Sequence, residues 1–400
     1  MPGQMLPFDE ALKRILASAP ALSAERVGLS VATGRVLAED LLAHSPLPGF
    51  DYSAMDGYAV ARADFGEAGP WALTVRGESR AGALAPRLVL GSACRIFTGA
   101  PIPEGADTVV MQEDVTREGE TARFAAPPTL GAHIRRRGED LAANAIALAR
   151  GTRLTPFQIG LAAAVDRSEL LVAQRPRVTI LCTGEELRSP GSPPTPGSIP
   201  DSNGPSLAAL VAAAGGTPHV APRTGDTMDA TESALRAALR GTDLLLTVGG
   251  VSVGEHDLVK AALANVGADL EFWKVQIRPG KPLAFGRLGS TLILGLPGNP
   301  VSAQLTFALF GMPLLRAMQG DRQPAPARGR ARLASALRQN PGRTGFYRAQ
   351  LQGDLAITAA NQASGSAASL AQADALLILP AESSGAAAGD TVEMIRLAEL

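Results

Sequence analysis

Leu244-Leu245-Leu246-Thr247-Val248-Gly249-Gly250-Val251-Ser252-Val253-Gly254-Glu255-His256-Asp257 is an apolar run of strand length that breaks at glycine and leads into a helix-like stretch. Two further segments follow closely. Trp273-Lys274-Val275-Gln276-Ile277-Arg278-Pro279-Gly280-Lys281-Pro282 is a basic turn region. Gly295-Leu296-Pro297-Gly298-Asn299-Pro300-Val301-Ser302 is a stiff turn running into a helix. Glycine-rich turns after strands are where open α/β sheets place their ligands, at the carboxyl ends of the strands. Backbone N–H groups there, backed by helix N-termini, form a socket for anions. A phosphate-bearing substrate is the first expectation.

The lysines are Lys13, Lys260, Lys274 and Lys281 in an otherwise arginine-based chain, and two of the four fall in the middle turn region. A lysine ammonium meets an oxyanion as a point charge, whereas arginine offers a planar fork.

Around these turns, strands alternate with helices. Arg177 opens the pattern with the strand Val178 to Thr183, followed by a helix from Ser206 to Ala214. A short strand comes near His219-Val220, then a helix from Asp229 to Arg240 and the strand Asp243 to Val248. A helix from Asp257 to Asn265, strands Leu270 to Ile277 and Thr291 to Leu294, and a long helix Val301 to Met318 complete it. Strands separated by helices of this length form a mostly parallel sheet. The run of Pro, Ser and Gly between Ser189 and Pro200 is expected to be a mobile loop. Residues near 45 to 145 instead carry short β-like runs with frequent turn signals, a mostly-β domain. Thr155 and Pro156 mark a helix start. After the linker Pro324 to Arg328, short strand-like runs point to a small β-barrel or sandwich.

The composition narrows the function. The 400 residues hold several domains, and 46% hydrophobic with 19% charged residues is globular. A net charge of -1 excludes a general nucleic-acid binder, which needs surplus cations. Cys94 and Cys182 have no paired spacing and the four histidines are scattered, so any metal is a hard ion on carboxylates. The N-terminal stretch from Asp9 reads as an amphipathic helix rather than a signal peptide. No apolar run approaches membrane-spanning length. A cytoplasmic protein is expected.

Glu186, Asp226 and Asp257 follow successive strands, where carboxylates can hold a hydrated Mg²⁺ together with substrate phosphates. N-capping explains any one of them alone. Ser53-Ala54-Met55-Asp56-Gly57-Tyr58-Ala59 and Thr98-Gly99-Ala100-Pro101 read by themselves as turns, and Arg137-Gly138-Glu139-Asp140 as solvated charge.

Taken together with Thr183-Gly184-Glu185-Glu186-Leu187 and Asn361-Gln362-Ala363-Ser364, these strings resemble the molybdopterin molybdenumtransferase family, the MoeA proteins and the E domain of gephyrin. The resemblance spans nearly the whole chain. It implies insertion of molybdate into adenylylated molybdopterin with release of AMP and molybdenum cofactor, dependent on Mg²⁺. It also implies an elongated homodimer whose cleft mixes both chains. The implied domains are a linking domain (26–44 and 145–172) and an inserted mostly-β domain (45–144). An α/β molybdopterin-binding domain (1–25 and 173–323) has a mixed, mostly parallel sheet with helices on both faces, and a C-terminal β-barrel (324–400) follows.

Carried over by motif, Asp56, Thr98 and Asp140 are the inserted domain's functional residues. Glu186, Asp226 and Asp257 are the acidic, metal-binding group, and Lys274, Arg278 and Lys281 the basic group. Gly249, Gly250, Ser252, Gly254, Pro297, Gly298, Asn299, Pro300 and Ser302 line the substrate site. Ser252, Lys281, Arg348 and Ser364 form the molybdate pocket, with Arg343 the alternative to Arg348. Arg278 stands where many relatives carry lysine. Molybdopterin adenylyltransferase and molybdoenzyme apoproteins are implied contacts. The competing readings are an adenylyltransferase, expected as a single compact domain, a non-catalytic scaffold of the gephyrin type, and a generic nucleotide-binding protein.

Overall fold

In the computed structural model, residues 5–225, 227–250, 258–338 and 341–400 are described. A six-stranded sheet forms the centre. Its spatial order is Thr217–Val220, Arg177–Cys182, Leu244–Val248, Thr291–Leu296, Pro282–Leu288 and Asp269–Lys274. The first four are parallel, Pro282–Leu288 runs antiparallel to them, and Asp269–Lys274, antiparallel to that strand, runs with the first four again. Leu244, Leu246 and Val248 point into one core, with Phe8, Leu207 and Leu309. Leu245 points to the other face, among Leu235, Val259 and Leu263. Such alternation is what a sheet covered by helices on both faces requires. The amphipathic helix Phe8–Ala17 buries Phe8, Ala11, Leu12 and Ile15 there.

Two helices differ from expectation. The helix placed at Ser206 begins at Asn203, because the Asp201 carboxylate accepts from the amides of Asn203 and Gly204, both at 3.0 Å. The stretch Pro300–Met318 is helical throughout and, at mean hydropathy 1.3, long and apolar enough to cross a membrane, contrary to the sequence reading. It is a core helix instead, 89% buried, with a widened π segment at Phe307–Gly311 where the Phe307 ring lies on Gly311. The expected loop between Ser189 and Pro200 is tied at its base by the parallel pair Leu187–Arg188 and Ile199–Pro200.

The mostly-β segment is a six-stranded sheet ordered Thr108–Met111, Gly57–Val60, Ser92–Ile96, Trp71–Ser79, Thr121–Phe124 and Val115–Glu118, with its own apolar clusters. Ala24–Gly28 pairs with Glu169–Ala173 beside a third core. At the C-terminal end Thr344–Gln352, Leu355–Thr358, Gly329–Leu333, Thr391–Arg396 and Ala375–Leu379 follow one another. The ring closes when the last pairs with the first, a β-barrel without free edges.

Phe8 joins these units. Its ring meets Phe310 edge-on at 5.2 Å and Phe346 of the barrel at 5.1 Å. Phe8→Ala is expected to cost about 3–5 kcal/mol, read as a lowered urea midpoint for the α/β unit with the sheet of Gly57–Val60 unaffected.

Candidate functional site

Along the parallel part of the sheet, Arg177–Cys182 leads outward to Thr217–Val220, after which the chain crosses back to Leu244–Val248 on the other side. This reversal opens a crevice of about 870 Å³ outside the carboxyl ends of the strands. Thr183, Gly184 and Glu186 line one wall. Gly249 and Gly250 form the floor, and Pro297 to Pro300 the opposite wall.

The turns interlock through their backbones. Gly249 N–H donates to Leu296 O at 3.2 Å, and Thr183 N–H to Val248 O at 3.0 Å. Asn203 donates its side-chain amide to Gly298 O at 2.8 Å, pinning the Pro297–Pro300 turn. Gly250 has φ +63, and a Cβ there would lie 2.4 Å from Val259, so only glycine fits. The Glu186 carboxylate is folded over Gly184, where a Cβ would lie 2.4 Å from it.

The basic group stands beyond the wall of Pro297 to Pro300, because Pro282–Leu288 pairs with Thr291–Leu296, the strand that leads into that turn. Lys274 sits opposite Pro282, itself a lining residue and the neighbour of Lys281. Arg278 belongs to a two-residue strand paired in parallel with the barrel strand at Thr344–Gly345. The barrel thus starts next to the cations. It also meets that wall directly: Asn299 donates to Ser364 Oγ at 3.1 Å, and Val301 N–H to Ser364 O at 3.1 Å. Arg348 is only 1% exposed. It donates to Gln362 Oε1 at 3.2 Å and to Ala363 O at 3.1 Å, holding the loop that carries Ser364. Burial lowers its pKa from the usual guanidinium value.

In the β-rich domain, Asp56 accepts from Thr98 N–H at 2.7 Å and from the Thr98 hydroxyl at 2.8 Å. These two bonds, the amide first, hold the Asp56 carboxyl below the ordinary range. Asp56-Gly57 is therefore more than a turn signal. Gly57 opens a strand so close to its neighbour that a Cβ would stand 1.9 Å from Val110 O. Asp140 lies in a separate loop, its amide bonded to Leu47 O at 3.0 Å.

Residues 6–165 match the MoeA N-terminal region (domain I and II), 179–317 the probable molybdopterin binding domain, and 330–397 the MoeA C-terminal region (domain IV). A molybdopterin molybdenumtransferase of Haemophilus influenzae is 37% identical over 97% of this chain and 98% of its own. Molybdopterin molybdenumtransferase 2 of Mycobacterium tuberculosis is 40% identical over 92% and 94%. The solved molybdopterin biosynthesis MoeA protein of Pyrococcus horikoshii superposes with a TM-score of 0.87 at 30% identity, covering 98% of this chain and all of its own. The chain belongs to the MoeA family of molybdopterin molybdenumtransferases.

Within this MoeA-family chain, the crevice gathers Glu186, Gly249, Gly250, Pro297, Gly298, Asn299 and Pro300 from the expected set. Asp226, Ser252, Gly254 and Asp257 lie outside the described residues. Ser302 is turned into the core, 5% exposed. Asp56, Thr98 and Asp140 are not among the residues lining the crevice. Asn203 was missed by the sequence reading; the capping pattern Asp201-Ser202-Asn203-Gly204 was the available signal. Cys182 is no nucleophile, since burial, then the charge of Asp201, pushes its thiol up to about 12.

For Mg²⁺, the described donor is the exposed carboxylate of Glu186 on the crevice wall, and no group of three or more His, Cys, Asp or Glu gathers among the described residues. One carboxylate beside a space for phosphates fits a hydrated Mg²⁺, which takes one or two carboxylates and keeps several waters.

Arg348→Leu leaves Ala363 O without its donor, while Gln362 Oε1 keeps the backbone N–H of residue 348 at 3.1 Å and loses the guanidinium. The expected loss is about 1–3 kcal/mol for the group left unpaired, measured as a lowered unfolding midpoint of the barrel. Unchanged stability would show that the arginine is not what holds the loop.

Proposed function

We propose that this chain inserts molybdate into adenylylated molybdopterin, releasing AMP and molybdenum cofactor. It is a transferase of molybdenum cofactor biosynthesis, acting on molybdopterin and molybdate. The observation that carries the reading is the crevice at the strand reversal, walled by three interlocked turns and met at Asn299 by Ser364 of the barrel. An adenylyltransferase needs only the α/β unit, and a scaffold or a generic nucleotide-binding protein gives no reason for likeness in every domain.

Both reactants are anions: molybdate is a tetrahedral dianion, and the adenylylated dithiolene carries a phosphoanhydride. Backbone N–H groups of Gly250, Gly298 and Asn299 suit the phosphates, and Lys274, Arg278 and Lys281 gather the negative charge. Ser252, Lys281 and Ser364 receive molybdate in this reading, and Arg348, buried behind the Ser364 loop, holds that serine in position. Glu186, with Asp226 and Asp257, would hold Mg²⁺, which when bound supplies Lewis-acid polarisation of the phosphoanhydride. We couple AMP release to metallation of the dithiolene at this one place.

The second part of the proposal is a cytoplasmic homodimer. Asp56, Thr98 and Asp140 lie on a different domain from the crevice, so a partner chain would bring them to it. Mixed chains test this directly. Asp56→Asn and Asp257→Ala chains, each about a hundredfold slower in forming cofactor from adenylyl-molybdopterin and molybdate, are expected to recover part of the activity when refolded together. Recovery fails if both residues serve one chain's site. Wild-type turnover by folded Asp257→Ala would remove the acidic group from the mechanism.

A further inference from the structure

We propose that Arg95 is the positioning residue of the Asp56–Thr98 pair, clamping the two segments that carry it across the gap where their backbone pairing is interrupted. The proposal rests on the reading of that pair as part of the reaction site.

The strands Gly57–Val60 and Ser92–Ile96 pair antiparallel, and their last rung is Gly57 opposite Ile96. Asp56 and Thr98 lie past that rung, in a gap of the ladder that closes again where Gly99 N–H donates to Ser53 O at 2.8 Å and Ser53 N–H to Ala100 O at 2.9 Å. Arg95, opposite Tyr58 in the register, braces this gap from the strand side. Its Nη1 donates to Gly57 O at 3.1 Å and its Nη2 to Gln112 Oε1 at 2.7 Å. The backbone N–H of Gln112 in turn donates to Asp56 O at 3.0 Å. The Asp56 peptide is thus held from both sides.

The face of the same guanidinium lies 4.7 Å from the ring centroid of Phe97, the residue before Thr98, and 5.3 Å from that of Tyr58. One planar group therefore holds the Asp56 segment by its edge and the Thr98 segment by its face. Lysine has neither the fork nor the flat surface.

Arg95 also sets a permanent positive charge near the Asp56 carboxylate, adding to the two donors of Thr98. The other charged groups around it are Glu78 and Arg80, paired with each other, and Glu113 beside Gln112. Exposed groups screen one another strongly, so the geometric role dominates.

The test uses the full-length chain carrying Arg95→Met or Arg95→Lys. Readouts are the Asp56 carboxyl followed by carbon NMR against pH, assigned with Asp56→Asn, the Thr98 amide resonance, and kcat and KM for adenylyl-molybdopterin. In Arg95→Met the carboxyl is expected to titrate at higher pH and the Thr98 amide to lose its bonded position. The expected kcat loss is about tenfold to a hundredfold, with KM little changed. Arg95→Lys, which keeps the charge without the fork or the flat face, should restore little of the titration and little of kcat. Gln112→Leu, which removes one fork partner, should move the same signals less far and serves if Arg95→Met does not fold. Unmoved Asp56 and Thr98 signals in the folded variants overturn the proposal. Moved signals with wild-type turnover remove the pair from the reaction, and Arg95's part in turnover with it.

Discussion

The reversal of strand order between Arg177–Cys182 and Leu244–Val248 is the constraint on which the site depends. Helices that leave neighbouring parallel strands toward opposite faces cannot fill the space above the strand ends, so a crevice opens there. Everything around it serves to keep backbone groups facing that space. Carbonyls and amides of successive turns bond to one another across the gap, and Asn203 locks the third turn to the helix start below it. A surface built from backbone can approach a polyanion closely and needs little rearrangement when it binds.

The barrel is joined to this crevice at two places, and each suits a different demand. The short strand Ile277–Arg278 continues directly into barrel pairing, which ties the basic residues to a rigid element. Ser364 meets Asn299 directly, held from behind by a buried arginine. An arginine whose donors are satisfied by carbonyl oxygens fixes loop geometry at the cost of burying a charge, and Gln362 and Ala363 offset that cost. Phe8, between Phe310 and Phe346, gives the same two units a shared apolar contact.

The β-rich domain solves a separate problem. Asp56 and Thr98 are brought together by strand pairing, a glycine that permits close approach, and an arginine stacked on two rings. Among the described residues, none of these lines the crevice of the same chain. The family relationship, seen in relatives 37% and 40% identical over nearly full length, makes the two halves parts of one enzyme.

Much was legible in the sequence. The alternation of apolar strands with helices determined the α/β unit, because burying both faces of a sheet demands it, and the glycine-rich turns marked its carboxyl edge. Asp56-Gly57 and Thr98-Gly99 could be picked out only through resemblance, since each string alone is an ordinary turn. Pro300–Met318 looks the same whether it lies in lipid or in a core; only packing against the sheet and the barrel decides. The partnership of Arg348 with Gln362 and Ala363, the clamp of Asn203 on Gly298, and the place of Arg95 were invisible beforehand. They join residues distant in the chain, and local pattern carries no information about which polar groups folding will leave facing each other.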